Sequence, residues 1–256
     1  MLPLDALPYG LGVGFAALIG LILGSFIATL VLRWPAGRSV LGRSHCDACE
    51  RPLVAWDLVP LLSALLSRGH CRRCGARIDP FHSRVEIASA LIGALALAFM
   101  PGVSGWLWAL FGWLLLPLAL LDARHLWLPD RLNALLAATG LLLAGPLMGT
   151  ALTDRWIGTV AGGFALALVA WGYRRARRAD GMGGGDPKLV AALGAWMGWQ
   201  ALPLVLLLAS LGGLAWALAT QGKGDQPLVQ RRIPFGLFVS IAAFAAVPIW
   251  LLISGR

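Results

Sequence analysis

Charge is scarce in this chain. Only 13% of its 256 residues are Asp, Glu, Lys or Arg, whereas 59% are hydrophobic. A soluble domain of this length cannot hide so much apolar surface in one core. Polar interruptions are equally rare. Leu11 to Leu32 runs 22 residues without a charge, enough to cross a hydrocarbon core of roughly 30 Å at about 1.5 Å per residue. Ile87 to Leu121 and Leu189 to Gly222 are also uncharged, and each is too long for one helix. Pro101-Gly102 breaks the first and Gln200 to Pro203 the second, so each reads as a helical hairpin. With Leu132–Thr153, Trp156–Tyr173 and Ile233–Ser254, the expectation is an all-α polytopic membrane protein with about eight transmembrane helices. The second and sixth have the shortest uncharged cores. A basic segment before the first apolar run is lacking, and the run is too long for a cleavable signal peptide, so it is expected to stay as a span.

The few basic residues are placed unevenly. With the amino terminus outside, the inner loops are residues 33–84, 122–131, 174–188 and 223–232, and they hold 19 of the 21 Lys and Arg; only Arg155 and Arg256 fall elsewhere. This is the positive-inside pattern. The formal charge of +9 is then a topology signal and a contact for anionic lipid head groups. Nucleic-acid binding is the competing reading of this charge, and the scatter of the basic residues over loops between spans weighs against it.

Cysteine is absent outside the first inner loop. The four present form Cys46-x-x-Cys49 and Cys71-x-x-Cys74, separated by 21 residues, close to the spacing that closes four thiolates on one zinc. Two disulfides or four free thiols are the competing readings, and the cytoplasmic side assigned by charge disfavours disulfides. His45 and His70 each precede a cysteine, but four thiolates already fill a tetrahedral site, so both read as surface residues. Leu53 to Leu66, between the pairs, is apolar enough to pack on the membrane surface or on the cysteine turns.

Acidic residues near the spans are few. Asp122 ends the third span, Asp130 follows in Leu128-Pro129-Asp130, and Asp186 sits in Gly183-Gly184-Gly185-Asp186-Pro187-Lys188 at the start of the sixth. Topology brings Asp122 and Asp186 to the same inner boundary, which makes a facing pair possible. Against this, Asp186-Pro187 also reads as a helix cap with proline at the first helical position. Arg124 could pair with Asp122. Asp130 reads as a turn and cap opening the fourth span. The glycine run lacks Walker spacing and its Lys-Ser/Thr ending; it offers backbone that a substrate strand can approach closely. Glu86, opening the second span, is expected to pair with Arg84 rather than to line a cavity. Gly10, Gly12 and Gly14 follow no strand and read as helix-packing glycines.

These residues resemble a known family. Gly181-Met182-Gly183-Gly184-Gly185-Asp186-Pro187-Lys188 is similar to the GxGDxK region of bacterial type IV prepilin peptidases, and Asp122 with Leu128-Pro129-Asp130 to the stretch around the family's first catalytic aspartate, 64 residues earlier. Gly24-Ser25-Phe26 with Arg33 and Pro35, the paired cysteines, and Ile233-Pro234-Phe235-Gly236 match other family segments in order. Ala28 stands where the family often has Asn. The resemblance implies an aspartic endopeptidase of the bacterial inner membrane, its catalytic face cytoplasmic. It would cut type IV prepilins and type II secretion pseudopilins after Gly, then methylate the new amino terminus with S-adenosylmethionine. Asp122 and Asp186 would be catalytic, Gly183, Gly185 and Lys188 supporting, and Cys46, Cys49, Cys71 and Cys74 ligands of a structural zinc. The division expected is 1–33 first transmembrane helix, 34–84 four-cysteine loop, and 85–256 seven-helix protease core. Of two carboxylates sharing a site, one must be ionised and the other protonated. The ends of their own helices favour Asp186 for the charge and Asp122 for the proton. A proton-coupled transporter and a zinc-stapled pilus-assembly scaffold are the rival readings. Transporter acids usually sit near the midplane between repeated halves, and this chain shows no internal repeat.

Overall fold

A computed structural model of the chain describes residues 9–40, 42, 45–46, 48–177, 183–220 and 233–255. Gly181 and Met182, at the front of the glycine run, and the last inner loop through residue 232 lie outside these. The described residues form ten α-helices, one short 3-10 turn and no strand. They fall into two compact units, Met1–Trp113 and Leu114–Arg256.

In the first unit α1 (Tyr9–Arg33) and α3 (Phe81–Phe99) lie antiparallel. Glycine decides how closely. A Cβ on Gly24 would stand 2.6 Å from the Glu86 Cα, and one on Gly93 would stand 2.5 Å from the Ala16 carbonyl oxygen. Small residues let membrane helices approach backbone to backbone where lipid supplies no hydrophobic drive. The Tyr9 hydroxyl donates to the Ala98 carbonyl (2.7 Å) and closes the far end of the pair. Gly10, Gly12 and Gly14 take no part, because a Cβ on any of them would meet nothing within 4 Å. The packing glycines are thus a different set from the one expected. Between α1 and α3 lie the 3-10 turn Ala55–Leu58 and the short α2 (Leu62–Leu66). Asp79 opens α3 by accepting the Phe81 N–H (2.9 Å).

The helix α4 (Val103–His125) runs from the first unit into the second. The second unit is built around α8 (Asp186–Met197), nine of whose twelve residues are buried. Helices α5 (Asp130–Leu143) and α7 (Leu152–Arg177) pack against it. A Cβ on Gly140 of α5 would sit 2.6 Å from Trp196 Cδ1, and one on Gly158 of α7 would sit 2.8 Å from the Gly194 carbonyl oxygen. The Trp196 indole donates to the Leu136 carbonyl (2.8 Å). Helix α5 ends under Arg155, a buried guanidinium whose Nη1 donates to the Gly140 and Leu141 carbonyls (both 3.1 Å). A cation on the last carbonyls of a helix satisfies its negative end. Helices α9 (Leu202–Ala219) and α10 (Phe235–Ser254) complete the unit.

Six helices, α1, α3, α4, α7, α9 and α10, are long and apolar enough to cross a membrane, which makes this a multi-pass membrane protein. Eight spans were expected; the other two segments form helices shorter than these six. The stretch Leu132–Thr153 is interrupted, because α5 stops at Leu143 and Gly145-Pro146 opens the separate four-residue α6 (Gly145–Met148). Helix α8 has 12 residues and stops at Gly198, where φ is +76°. The second expected span, whose uncharged core looked short, is the full-length α3, since its helix begins among the charged residues before Ile87. The first hairpin break falls at Pro101-Gly102, after Phe99; the second begins at Gly198, ahead of the expected Gln200 to Pro203, and α9 starts at Leu202 with Pro203 in its first turn.

Candidate active site and metal centre

Asp122 lies in the last turn of α4 and Asp186 in the first turn of α8. Both are buried, at 5% and 6% exposure, among residues that are otherwise almost all apolar. Each carboxylate is held by backbone. Asp186 Oδ2 accepts the Gly183 N–H at 3.1 Å. Asp122 Oδ2 accepts the Leu237 N–H at 2.9 Å, from the first turn of α10.

Leu128, in the turn between α4 and α5, fills the space around the two carboxylates. A Cβ on Gly185 would stand 2.6 Å from the Leu128 Cβ. A Cβ on Gly236 would stand 3.0 Å from Leu128 Cδ1 and equally 3.0 Å from Asp122 Cγ and Oδ2. Two glycines, 51 positions apart in the sequence, therefore leave room for one leucine and one carboxylate. The glycine run does more than offer open backbone: Gly183 binds Asp186 and Gly185 admits Leu128, while Gly184 faces nothing within 4 Å.

Three readings of neighbouring residues change. Asp186 turns back to Gly183, and Gly185 is the residue that caps α8. Lys188 pairs with Asp130 (2.6 Å), and this exposed pair ties the start of α5 to the first turn of α8. Asp130 is accordingly an ion-pair partner as well as the first residue of its helix. Asp122, although at the C-terminus of α4, faces the N-terminus of α10, so both aspartates sit at positive helix ends and the dipoles no longer separate their roles. Sequence reasoning missed Gly236 and Leu237 as the support of Asp122. The signal was present as a glycine in the first turn of an apolar helix, where intrinsic propensity disfavours it.

Such an arrangement suits acid–base chemistry. Two carboxylates in one low-dielectric site resist being charged together, which leaves one to accept a proton and the other to donate one.

In the first unit the four cysteines converge. Their Sγ atoms all lie within 4.8 Å of one another, and Cys46 Sγ is 3.8 Å from Cys74 Sγ. Zinc bonded tetrahedrally to sulfurs at about 2.3 Å sets them roughly 3.8 Å apart, so the donor set and its dimensions fit zinc. The two halves of the cluster are built alike. Cys46 N–H donates to the Arg51 carbonyl and Glu50 N–H to the Cys46 carbonyl; Cys71 N–H donates to Ala76 and Gly75 N–H to Cys71. Glu50 and Gly75, at the same place in the two turns, both have positive φ, 53° and 70°. The turn brings the backbone N–H groups of Cys74 and Arg73 onto the Cys71 sulfur, lowering its thiol to about 6. The Cys74 thiol is pushed up to about 11: the Ala76 N–H favours its thiolate, but burial and the three neighbouring sulfurs outweigh that bond. Crowded thiolates repel one another, and a bound dication would offset that repulsion. Asp57 ties the halves together through Arg51 (3.2 Å) and Arg72 (3.6 Å). His70 Nδ1 is engaged by the Arg68 carbonyl (2.8 Å), in keeping with its reading as a surface residue. Glu86 does not use Arg84. It is 5% exposed, and its Oε2 accepts the Leu61 N–H at 2.9 Å.

Comparison with known proteins follows the same division. Residues 18–100 match the Bacterial Peptidase A24 N-terminal domain, and residues 109–218 match the Type IV leader peptidase family. A prepilin leader peptidase/N-methyltransferase of Burkholderia pseudomallei is 36% identical over 98% of this chain and 91% of its own length. One from Aeromonas hydrophila is 39% identical over 83% of this chain and 73% of its own length. One from Pseudomonas putida is 33% identical, over 91% and 88%. No solved structure matches the chain. With two buried aspartates inside the matched region, four cysteines inside the other, and likeness along nearly its whole length, the chain belongs to the type IV leader peptidase family.

Proposed function

We propose that this protein is a membrane aspartic endopeptidase that removes the leader of type IV prepilins and type II secretion pseudopilins after Gly. N-methylation of the new amino terminus follows. The observation that carries the reading is the pair Asp122 and Asp186, two buried carboxylates each fixed by a backbone N–H, whose neighbours Gly236 and Gly185 both pack on Leu128. In the cleavage, the ionised carboxylate takes a proton from water as its oxygen bonds to the scissile carbonyl carbon. The protonated carboxyl polarises the carbonyl oxygen and supplies a proton. The C–N bond breaks when the amine leaves with its proton. Gly183, Gly185 and Lys188 support the loop that carries Asp186.

Zinc on Cys46, Cys49, Cys71 and Cys74 would cross-link the inner loop, and no step of the cleavage runs through it. S-adenosylmethionine is the methyl donor implied by family resemblance. The positive-inside pattern supports a cytoplasmic catalytic face in a bacterial inner membrane. A transporter is disfavoured because both acids lie at helix ends, beside the charged turns. The test is to incubate membranes holding the protein with a prepilin and map the new amino terminus by mass spectrometry. A cut after the leader Gly, with a methylated product, is expected; an intact prepilin would overturn the assignment.

A further inference from the structure

The segment between the two cysteine turns is built oddly for a loop in water. Val54, Trp56, Leu58, Leu62, Leu65 and Leu66 are 45–76% exposed, with Leu65 and Trp56 the most open. Six large apolar side chains within thirteen residues form a patch that a water-facing surface rarely carries.

Its position explains why. Leu61 has a positive φ, +57°, with ψ −43°, at the centre of a γ-turn closed by the Leu62 N–H on the Pro60 carbonyl, a strained conformation that few residues with a Cβ adopt. What holds it there is the carboxylate of Glu86 on its N–H. Glu86 is the sixth residue of α3, a membrane-crossing helix, and it lies against Gly24 in the uncharged part of α1. The groove formed by Pro60, Leu61, Leu62 and Leu65 has Ser83, in the first turn of α3, as its remaining wall. The apolar segment is therefore tied to the membrane end of the α1–α3 pair. The charges are arranged to match. Arg68, Arg73, Arg77 and Arg84, which follow the segment in sequence, are exposed and free to meet anionic head groups.

We propose that Val54–Leu66 is an interfacial membrane anchor. Leu62, Leu65 and Leu66 enter the acyl boundary of the leaflet from which α3 starts, Trp56 sits at head-group level, and the arginines contact lipid phosphates. The partner is the bilayer itself, rich in anionic lipid. The Glu86–Leu61 bond fixes the depth of insertion, and through Asp57 the anchor is joined to both cysteine turns. An amphipathic segment of this kind binds by buried apolar area together with attraction to anionic lipid.

The test uses the full-length protein in vesicles of phosphatidylethanolamine and phosphatidylglycerol doped with a lipid carrying a photoreactive group on its acyl chain. Peptide mapping after illumination should find label on Leu61–Leu66 as strong as on the lipid-facing residues of α1, with none on Arg72–Ala76. Leu62→Asn with Leu65→Asn should lose the label on this segment while keeping both zinc content and the label on α1. Glu86→Gln should weaken the label, since a neutral amide holds Leu61 less firmly. Label on α1 without label on Leu61–Leu66 would overturn the proposal. Label that disappears when a prepilin is added would also overturn it, since the patch would then belong to the substrate. None of these readouts depends on cleavage.

Discussion

At the scale of single residues, Asp122 and Asp186 differ from Asp130 in kind. Asp122→Asn and Asp186→Asn should each lower cleavage by about 10²–10⁴-fold, because an amide neither takes the proton of water nor returns one to the leaving amine. Membrane insertion should be unchanged. Asp130→Asn removes one half of an exposed ion pair with Lys188, worth about 1 kcal/mol or less, so activity should fall by about fivefold at most. A cleavage assay on the three variants separates the roles. If Asp186→Asn cuts at a tenth of the normal rate, the catalytic role of that residue is lost. Glycines give a second contrast. Gly236→Ala drives a methyl group against both the Asp122 carboxylate and Leu128. Relieving these contacts shifts the carboxylate or the leucine by a few tenths of an ångström; since ~1 Å can cost on the order of 10²-fold, this variant should cut several-fold more slowly. Gly184→Ala meets nothing and should cut at the normal rate. Equal rates for the two would show that the packing around Asp122 is slack.

At the scale of elements, the four-cysteine loop behaves as one object because its two turns repeat one design and share Asp57. Metal analysis of the purified protein should find one zinc per chain. Zinc well below one equivalent, with disulfides detected by mass spectrometry, would rule out the cluster as a metal centre. Cys46→Ser should release the metal and reduce methylation more than cleavage, since the two aspartates belong to the other compact unit. Equal loss of both activities would mean that the loop also supports the protease site. The cysteine spacing was enough to suggest the ligand set, since four thiols in one cytoplasmic loop leave few alternatives. The Glu86–Leu61 bond was not readable, because it joins residues 25 positions apart through a backbone conformation that composition does not encode.

At the scale of the whole molecule, the charge pattern puts the cysteine loop inside and the Pro101–Gly102 turn outside. Alkaline phosphatase inserted at that turn should be active, and inserted within the cysteine loop inactive. The reverse result would move the proposed catalytic face to the other side of the membrane. The sequence by itself determined the membrane class, the six long helices, the hairpin breaks and the cysteine quartet. Each of these depends on local composition or short spacing, which a linear chain displays directly. It also offered Asp122 and Asp186 as a pair, through their common boundary. Only the tertiary structure decided that α5 and α8 are short helices and that α8 is enclosed by protein. A segment hidden from lipid carries the same apolar residues as a span, so hydropathy does not separate the two. The tertiary structure also decided that Asp122 rests on the N-terminus of α10, that Leu128 fits between Gly185 and Gly236, and that Lys188 pairs with Asp130. Those contacts join residues 57 to 115 positions apart. They exist because the helices of the second unit converge at one end, and no local sequence pattern specifies that convergence.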